Sequence, residues 1–239
     1  MNADEHLESD LDRGIRHLRI ARPARKNAVT LSMFAAMADM VRLANDDDAT
    51  RTVLVSGAGD TFCAGHDLDA FAEWPQHAED PVPRFMHALA DFGKPLVIAV
   101  HGAAVGVGAT MLLHADWICC TPDARLRFPF VDLGIGPEAG SSALLPRAVG
   151  LQRARRLLLG AEAIDGRRAF DWGLVTELCA PDELDSLALD RARALAAKPP
   201  DAIAGAKRLL NAPTHDLSQR IDVEVEFINE SLAARAAAD

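Results

Sequence analysis

The chain has 239 residues, 49% apolar and 25% charged, enough to bury a sizeable core as one or two domains of a globular protein. Its net charge of −10 repels backbone phosphates, which argues against a nucleic-acid partner unless a basic patch is hidden in the total. The opening MNADEHLESDLDRG lacks both the basic and the apolar part of a secretory signal, and no apolar run approaches the roughly 20 residues that cross a bilayer; a cytoplasmic protein with no membrane partner is expected.

In chain order, IRHLRIA (15–21) alternates with period two and is predicted as a strand. LSMFAAMADMVRLAND (31–46) places Met33, Phe34, Met37, Met40, Val41 and Ala44 along one helical stripe. TVLVSG (52–57) and PLVIAVHG (95–102) are short, β-rich and free of charge, as strands covered on both faces are, and each ends in glycine before a loop and a helix. A β/α alternation follows. Cys119 and Cys120 would face opposite sides of one strand; with Cys63 and Cys179 they form no CxxC pair and read as buried or incidental thiols. The eight histidines have no zinc-like spacing, so no metal is implied. Beyond Asp182 three helical segments remain, 182–198, 200–211 and 216–238, the last with Leu217, Ile221, Val225, Ile228 and Leu232 on one face. Such a tail either folds back on its own core or reaches a neighbouring subunit.

Two glycine-marked strand ends invite a functional reading, SGAGDTFCAGHDL (56–68) and HGAAVGVGATM (101–111). Neither forms GxGxxG or GxxxxGK[ST], so nucleotide binding is disfavoured. Both release backbone N–H groups at a turn with little side-chain bulk nearby, and a helix starting near Val107 would turn its positive end toward a ligand. Spacing alone equally allows glycines that merely turn the chain.

FCAGHDL (62–68), KPLVIAVHGAAVGVG (94–108), the following HAD (114–116) and LGIGPEAGSSALLPRAVG (133–150) stand in the order and at the spacing of the crotonase superfamily, the enoyl-CoA hydratase/isomerase family, which the chain resembles from RPARKNA (22–28) to AFDWGLV (169–175). The resemblance implies an α/β fold, a spiral of ββα units over residues 1–181 that binds acyl-CoA. It further implies a C-terminal helical region, 182–239, that helps build a homotrimer or hexamer, and a coenzyme A thioester as substrate with no separate cofactor. By position, the amides of His66 and Val107 would hold the thioester oxygen. Ala64, Gly65, Asp67, Leu68, Gly106, Phe130 and Leu133 would line the substrate, with Asp67 also capping the helix after it. Arg25 and Lys26 would neighbour the coenzyme's phosphates, and Lys207 would approach its 3'-phosphate.

Removing a proton beside a thioester carbonyl builds negative charge on the oxygen, which such amides stabilise. A side chain must then move the proton. The positions that carry the two hydratase glutamates hold Thr110 and Phe130 here, and neither is a base. Glu138, in GIGPEAGSS, stands in the loop where some 3-enoyl-CoA to 2-enoyl-CoA isomerases of the family place their single catalytic glutamate. An apolar pocket beside Phe130, Val105 and Leu133 would raise its pKa. Without the resemblance, Pro-Glu is a common first-turn pattern of a helix. Dehalogenases of the superfamily put a nucleophilic aspartate in the same loop, but that chemistry needs a partner histidine, and the nearest in sequence, His87, reads as a partly exposed helix residue. The imidazole of His66 reads as non-catalytic. Asp116 is expected to tie helix to strand, His101 to be a satisfied polar neighbour, and Ser141 or Ser142 to hydrogen-bond near Glu138. The expected function is therefore 3-enoyl-CoA to 2-enoyl-CoA isomerisation by Glu138. The alternatives are hydration, or another reaction of the superfamily, with a non-standard base, and a non-catalytic acyl-CoA-binding scaffold.

Overall fold

The computed structural model describes residues 4–69 and 77–212, together with positions 223 and 225. Its strands are β1 (Leu7–Asp12), β2 (Ile15–Ile20), β3 (Thr52–Gly57), β4 (Leu96–Val100), β5 (Ala103–Val105), β6 (Trp117–Cys120), β7 (Arg125–Arg127), β8 (Ile164–Asp165) and β9 (Glu177–Leu178). The helices are α1 (Leu31–Asp46), α2 (Pro81–Ala90), α3 (Val107–Thr110), α4 (Ser141–Val149), α5 (Leu151–Leu158), α6 (Gly166–Asp171), α7 (Leu184–Ala196) and α8 (Pro200–Asn211).

Alternation along the strands sorts the core into two layers. The larger sheet has the order β1-β2-β3-β4-β6-β9, parallel throughout except for the antiparallel β1–β2 edge. Leu18, Ile20, Val53, Val55, Ile98 and Cys120 pack on one face with Phe34 and Met37 of α1 and Phe85 and Leu89 of α2. Ile15, Leu54, Val97, Ala99 and Cys119 pack on the other with Leu184, Ala188 and Ala192 of α7. Helices on both faces account for the uncharged runs of β3 and β4, and Cys119 and Cys120 fall on opposite faces as expected. A smaller sheet, β5-β7-β8, stands beside it and carries the chain into α3.

The stripe expected on α1 is buried in full, and Thr30 caps that helix by accepting from Met33 N–H at 3.3 Å. β1 was not expected: five of its six residues are exposed and its charges give it the look of a polar leader, whereas it is an edge strand. The fold-back alternative holds for α7, which lies on its own chain's sheet. Of the apolar stripe expected further on, Val225 is exposed, while Leu217, Ile221, Ile228 and Leu232 lie outside the described residues. No helix among the described residues is long and apolar enough to cross a membrane.

Lys207 corrects one expectation. Rather than reaching a phosphate, it is 9% exposed, and its Nζ donates to Asp116 Oδ2 at 2.7 Å and to the Lys94 carbonyl at 2.8 Å. Asp116 Oδ2 also accepts from Leu96 N–H at 2.8 Å, so it ties the end of the 111–114 turn to β4, as expected, and locks α8 against both. Burial holds the Lys207 ammonium below its usual pKa even with Asp116 raising it. Replacing Lys207 by Met removes one partner of this pair and should cost about 2 kcal/mol, read as a lowered urea midpoint.

Candidate active site

The two glycine-marked segments lie against each other, main chain to main chain. Phe62 N–H donates to the His101 carbonyl, Cys63 N–H to that of Ala103, and Val105 N–H back to that of Cys63, each at 2.9 Å. On its other side the 62–67 segment is bound to residues 26–29: Ala64 N–H donates to the Lys26 carbonyl at 3.0 Å, Val29 N–H to Gly65 at 2.8 Å and Asp67 N–H to Val29 at 2.8 Å. Residues 22–29 are pinned by buried Asn27, whose amide donates to the carbonyls of Ala58 at 2.8 Å and Thr61 at 2.6 Å. His66 is thereby held between two neighbouring strands of backbone.

This approach is what requires glycine. Gly65 has φ +102°, and a Cβ on it would lie 2.9 Å from the Val105 carbonyl oxygen; a Cβ on Gly108 would lie 2.5 Å from that of Cys63. Gly106, at φ +54°, opens α3 by accepting from Ala109 and Thr110 N–H at 2.9 and 2.8 Å, which leaves the Val107 amide at the first helical position. α3 is only four residues long. The amide itself, rather than the summed dipole of a long helix, is what this turn presents, which corrects the dipole argument made from the sequence.

Glu138 approaches from a third direction. It sits ahead of α4 rather than in its first turn, and its main chain is fixed from both sides. Ser141 donates to the Glu138 carbonyl through its amide at 2.9 Å and through its hydroxyl at 2.7 Å, and His114 Nε2 bonds the Ala139 carbonyl at 2.9 Å. The side chain is 15% exposed, with Oε2 3.7 Å from His66 Nε2 and Oε1 3.5 Å from the Thr110 hydroxyl. Burial pushes its carboxyl up to about 7, against a small opposing effect of the Thr110 hydroxyl. The His66 imidazole is 6% exposed, packs 4.7 Å from the Phe34 ring centroid, and is pushed down by burial to about 4. Near neutral pH the imidazole is therefore uncharged and the carboxyl is the group that titrates.

Ala64, Gly65, His66, Gly106, Val107 and Glu138 thus converge, and Thr110 joins them. Other expected residues stand elsewhere. Leu133 is 52% exposed and Leu68 74%, so Leu133 does not supply the apolar enclosure of Glu138; the His66 ring and α3 flank the carboxyl instead. Phe130 is buried in the core, where it opens the 131–133 turn. Asp67 is corrected from a substrate contact to a tie between loops. Its carboxylate receives the Arg22 guanidinium, which also donates to the Ala28 carbonyl at 3.0 Å, and Arg22 holds the Asp67 pKa below the usual carboxylate range. Asp67 also accepts from Asp69 N–H at 3.2 Å, a local cap; of the helix expected to begin with LDAFAEW (68–74), residues 70–76 lie outside the described residues. Arg25 and Lys26 are exposed, though the Lys26 carbonyl belongs to the framework around Ala64. His101 bonds the Gly59 carbonyl at 3.0 Å, as expected, and His87 lines a cleft with Met86, Leu113 and Ala139. The residue missed from the sequence is the side chain of His66: a short, glycine-containing segment has no periodicity to tell which way it faces.

A family model described as Enoyl-CoA hydratase/isomerase matches residues 10–235. The 1,2-epoxyphenylacetyl-CoA isomerase of Escherichia coli (strain K12) is 33% identical over 242 residues, covering 98% of this chain and 92% of the relative. Enoyl-CoA delta isomerase 2 of Rattus norvegicus is 32% identical over 204 residues, covering 82% of this chain and 52% of the relative. Among solved structures, an enoyl-CoA hydratase/isomerase from Pseudoalteromonas atlantica T6c superposes with a TM-score of 0.83 at 38% identity, covering 95% of this chain and 89% of that one.

Proposed function

The chain belongs to the enoyl-CoA hydratase/isomerase family, and from that premise we propose that it isomerises a 3-enoyl-CoA to the 2-enoyl-CoA with Glu138 as its acid–base group. The observation that carries this reading is a buried carboxyl, pushed up to about 7 and set between the His66 and α3 segments; it is supported by the family resemblance, which matches Thr110 and Phe130 to the positions of the two hydratase glutamates. In the proposed reaction the amides of His66 and Val107 donate to the thioester oxygen. Ionised Glu138 takes a proton from C2, and the electron pair of that C–H bond moves through the carbonyl to give a dienolate whose charge rests on the held oxygen. Glu138 then returns the proton to C4, the dienolate collapses, and the double bond is left between C2 and C3. One group serves both transfers because C2 and C4 lie on one face of a planar intermediate. A pKa of about 7 suits this task, since both protonation states are populated at neutral pH.

The test offers the protein a 3-enoyl-CoA and a 2-enoyl-CoA and follows the conjugated thioester and its hydration product. Formation of 2-enoyl-CoA, at an unchanged rate after desalting and chelation, is the expected result. Rapid hydration of 2-enoyl-CoA without isomerisation would replace this reading with a hydratase using a non-standard base. Coenzyme A binding without turnover of either thioester would replace it with a scaffold. Self-association into a trimer or a pair of trimers belongs to the same reading and is checked by sedimentation.

A further inference from the structure

The geometry points to a supporting group beside the acid: we infer that the His66 imidazole is a positioning residue for Glu138, supplying an Nε2–H donor to the carboxylate when Glu138 is ionised. This rests on the isomerase reading for its kinetic arm alone.

Nε2 stands 3.7 Å from Glu138 Oε2, about half an ångström beyond a hydrogen bond, and the gap closes with a small rotation of the carboxyl. The other carboxyl oxygen lies 3.5 Å from the Thr110 hydroxyl, whose one proton also has the Val107 carbonyl within reach at 3.4 Å. Beside Glu138, among the described residues, the ionisable side chains are His66 and the Cys63 thiol; burial raises the thiol to about 12, so it stays neutral throughout the working range. No arginine or lysine pairs with Glu138 among the described residues. An anion formed there has two side-chain donors within reach, Thr110 and His66, and burial makes donors valuable. The Phe34 ring, stacked at 4.7 Å and tilted 42°, fixes the plane of the imidazole. Because burial keeps the ring neutral, it can donate a hydrogen bond without competing as an acid for the proton that Glu138 shuttles.

Two measurements test this. In protein labelled with ¹⁵N-histidine, with the His66 signals assigned by their loss in His66→Gln, the ring nitrogens should shift with a midpoint near 7, reporting ionisation of Glu138, and Glu138→Gln should remove that step. Parent protein without the step overturns the inference, whatever the enzyme turns over. In kinetics, His66→Phe keeps the backbone amide and the ring bulk but removes the donor. The acidic limb of kcat/KM should move up by about one pH unit, so that the rate falls about fivefold at pH 7 and about tenfold on the acidic limb and recovers in alkali, and His66→Gln, with an amide donor, should move the limb back. A uniform loss of rate with an unmoved limb means a structural role and also overturns it. If His66→Phe does not fold, the resonance titration of the parent and of Glu138→Gln decides alone. Failure of the isomerase reading shows differently, as a parent inactive on 3-enoyl-CoA with the ring titration intact.

Discussion

Glu138→Gln should lower isomerase turnover by about 10³-fold while thioester binding stays within a few fold, because the amide keeps the shape of the carboxyl and cannot carry the proton. Steady-state kinetics beside a coenzyme A binding titration separates the two effects. The same substitution has a stability signature that depends on pH. The Glu138 pKa rises from 4.5 to about 7 on folding, so between those values the native state holds the proton that the unfolded chain releases, and stability falls as pH rises. Above pH 7 the buried carboxylate costs about 3 kcal/mol, which Gln recovers; below 4.5 the advantage of Gln disappears. His66 acts in the opposite sense. Its pKa falls from 6.5 to about 4, so its contribution is fully present above 6.5 and is lost as pH falls toward 4. Between 4.5 and 6.5 the two slopes oppose each other, and each substitution should unmask the other. Urea midpoints should rise with pH across this window in Glu138→Gln and fall with it in His66→Phe.

Gly108→Ala should be nearly as damaging by a different route. The added Cβ would lie 2.5 Å from the Cys63 carbonyl oxygen and 2.8 Å from the Cys63 Cβ, and Cys63 is fixed by main-chain hydrogen bonds to Ala103 and Val105. No flexible side chain can yield, so α3 must move away from the 62–67 segment and carry the Val107 amide with it. A loss of about 2 kcal/mol in stability and about 10² in turnover is expected, the second matching removal of one oxyanion donor. Gly93→Ala, whose new Cβ would meet Asn45 Oδ1 at an ordinary 3.5 Å, serves as the control and should change neither. Parallel melts and kinetics of the two variants check this, and equal effects from both would remove the backbone approach from the explanation.

What could be read in advance follows physical scale. The stripe of α1 and the uncharged strands β3 and β4 repeat over enough residues for period to speak, and both are where the sequence places them. β5, β7, β8 and β9 have two or three residues each, too few to carry a period, and β1 hides behind its charges. At the site, the glycines read as opening backbone N–H groups to a ligand, whereas Gly65 and Gly108 also admit a neighbouring stretch of main chain, which the sequence did not disclose. The surroundings of Glu138 were harder: Leu133 looked like a wall and stands in solvent, whereas His66 reads only as an amide donor and its imidazole is packed on Phe34, facing Glu138. Local sequence carries no information on which side chain crosses to a loop more than seventy residues away. Lys207, read as reaching a phosphate, failed for a related reason, since its partner Asp116 is distant in sequence and nothing near a lone lysine shows which anion it meets.

The clasp between residues 62–67 and 103–108 is made of main-chain groups, whereas the acid arrives on a different stretch, most of which, 131–137, is open to solvent. Under the proposed reading, recognition of the thioester and choice of reaction are therefore separable by inheritance: substitutions in the exposed stretch would retire one chemistry and recruit another without disturbing the grip. Exchanging only that stretch for its counterpart from a relative with a different activity is the natural route to redirecting this scaffold.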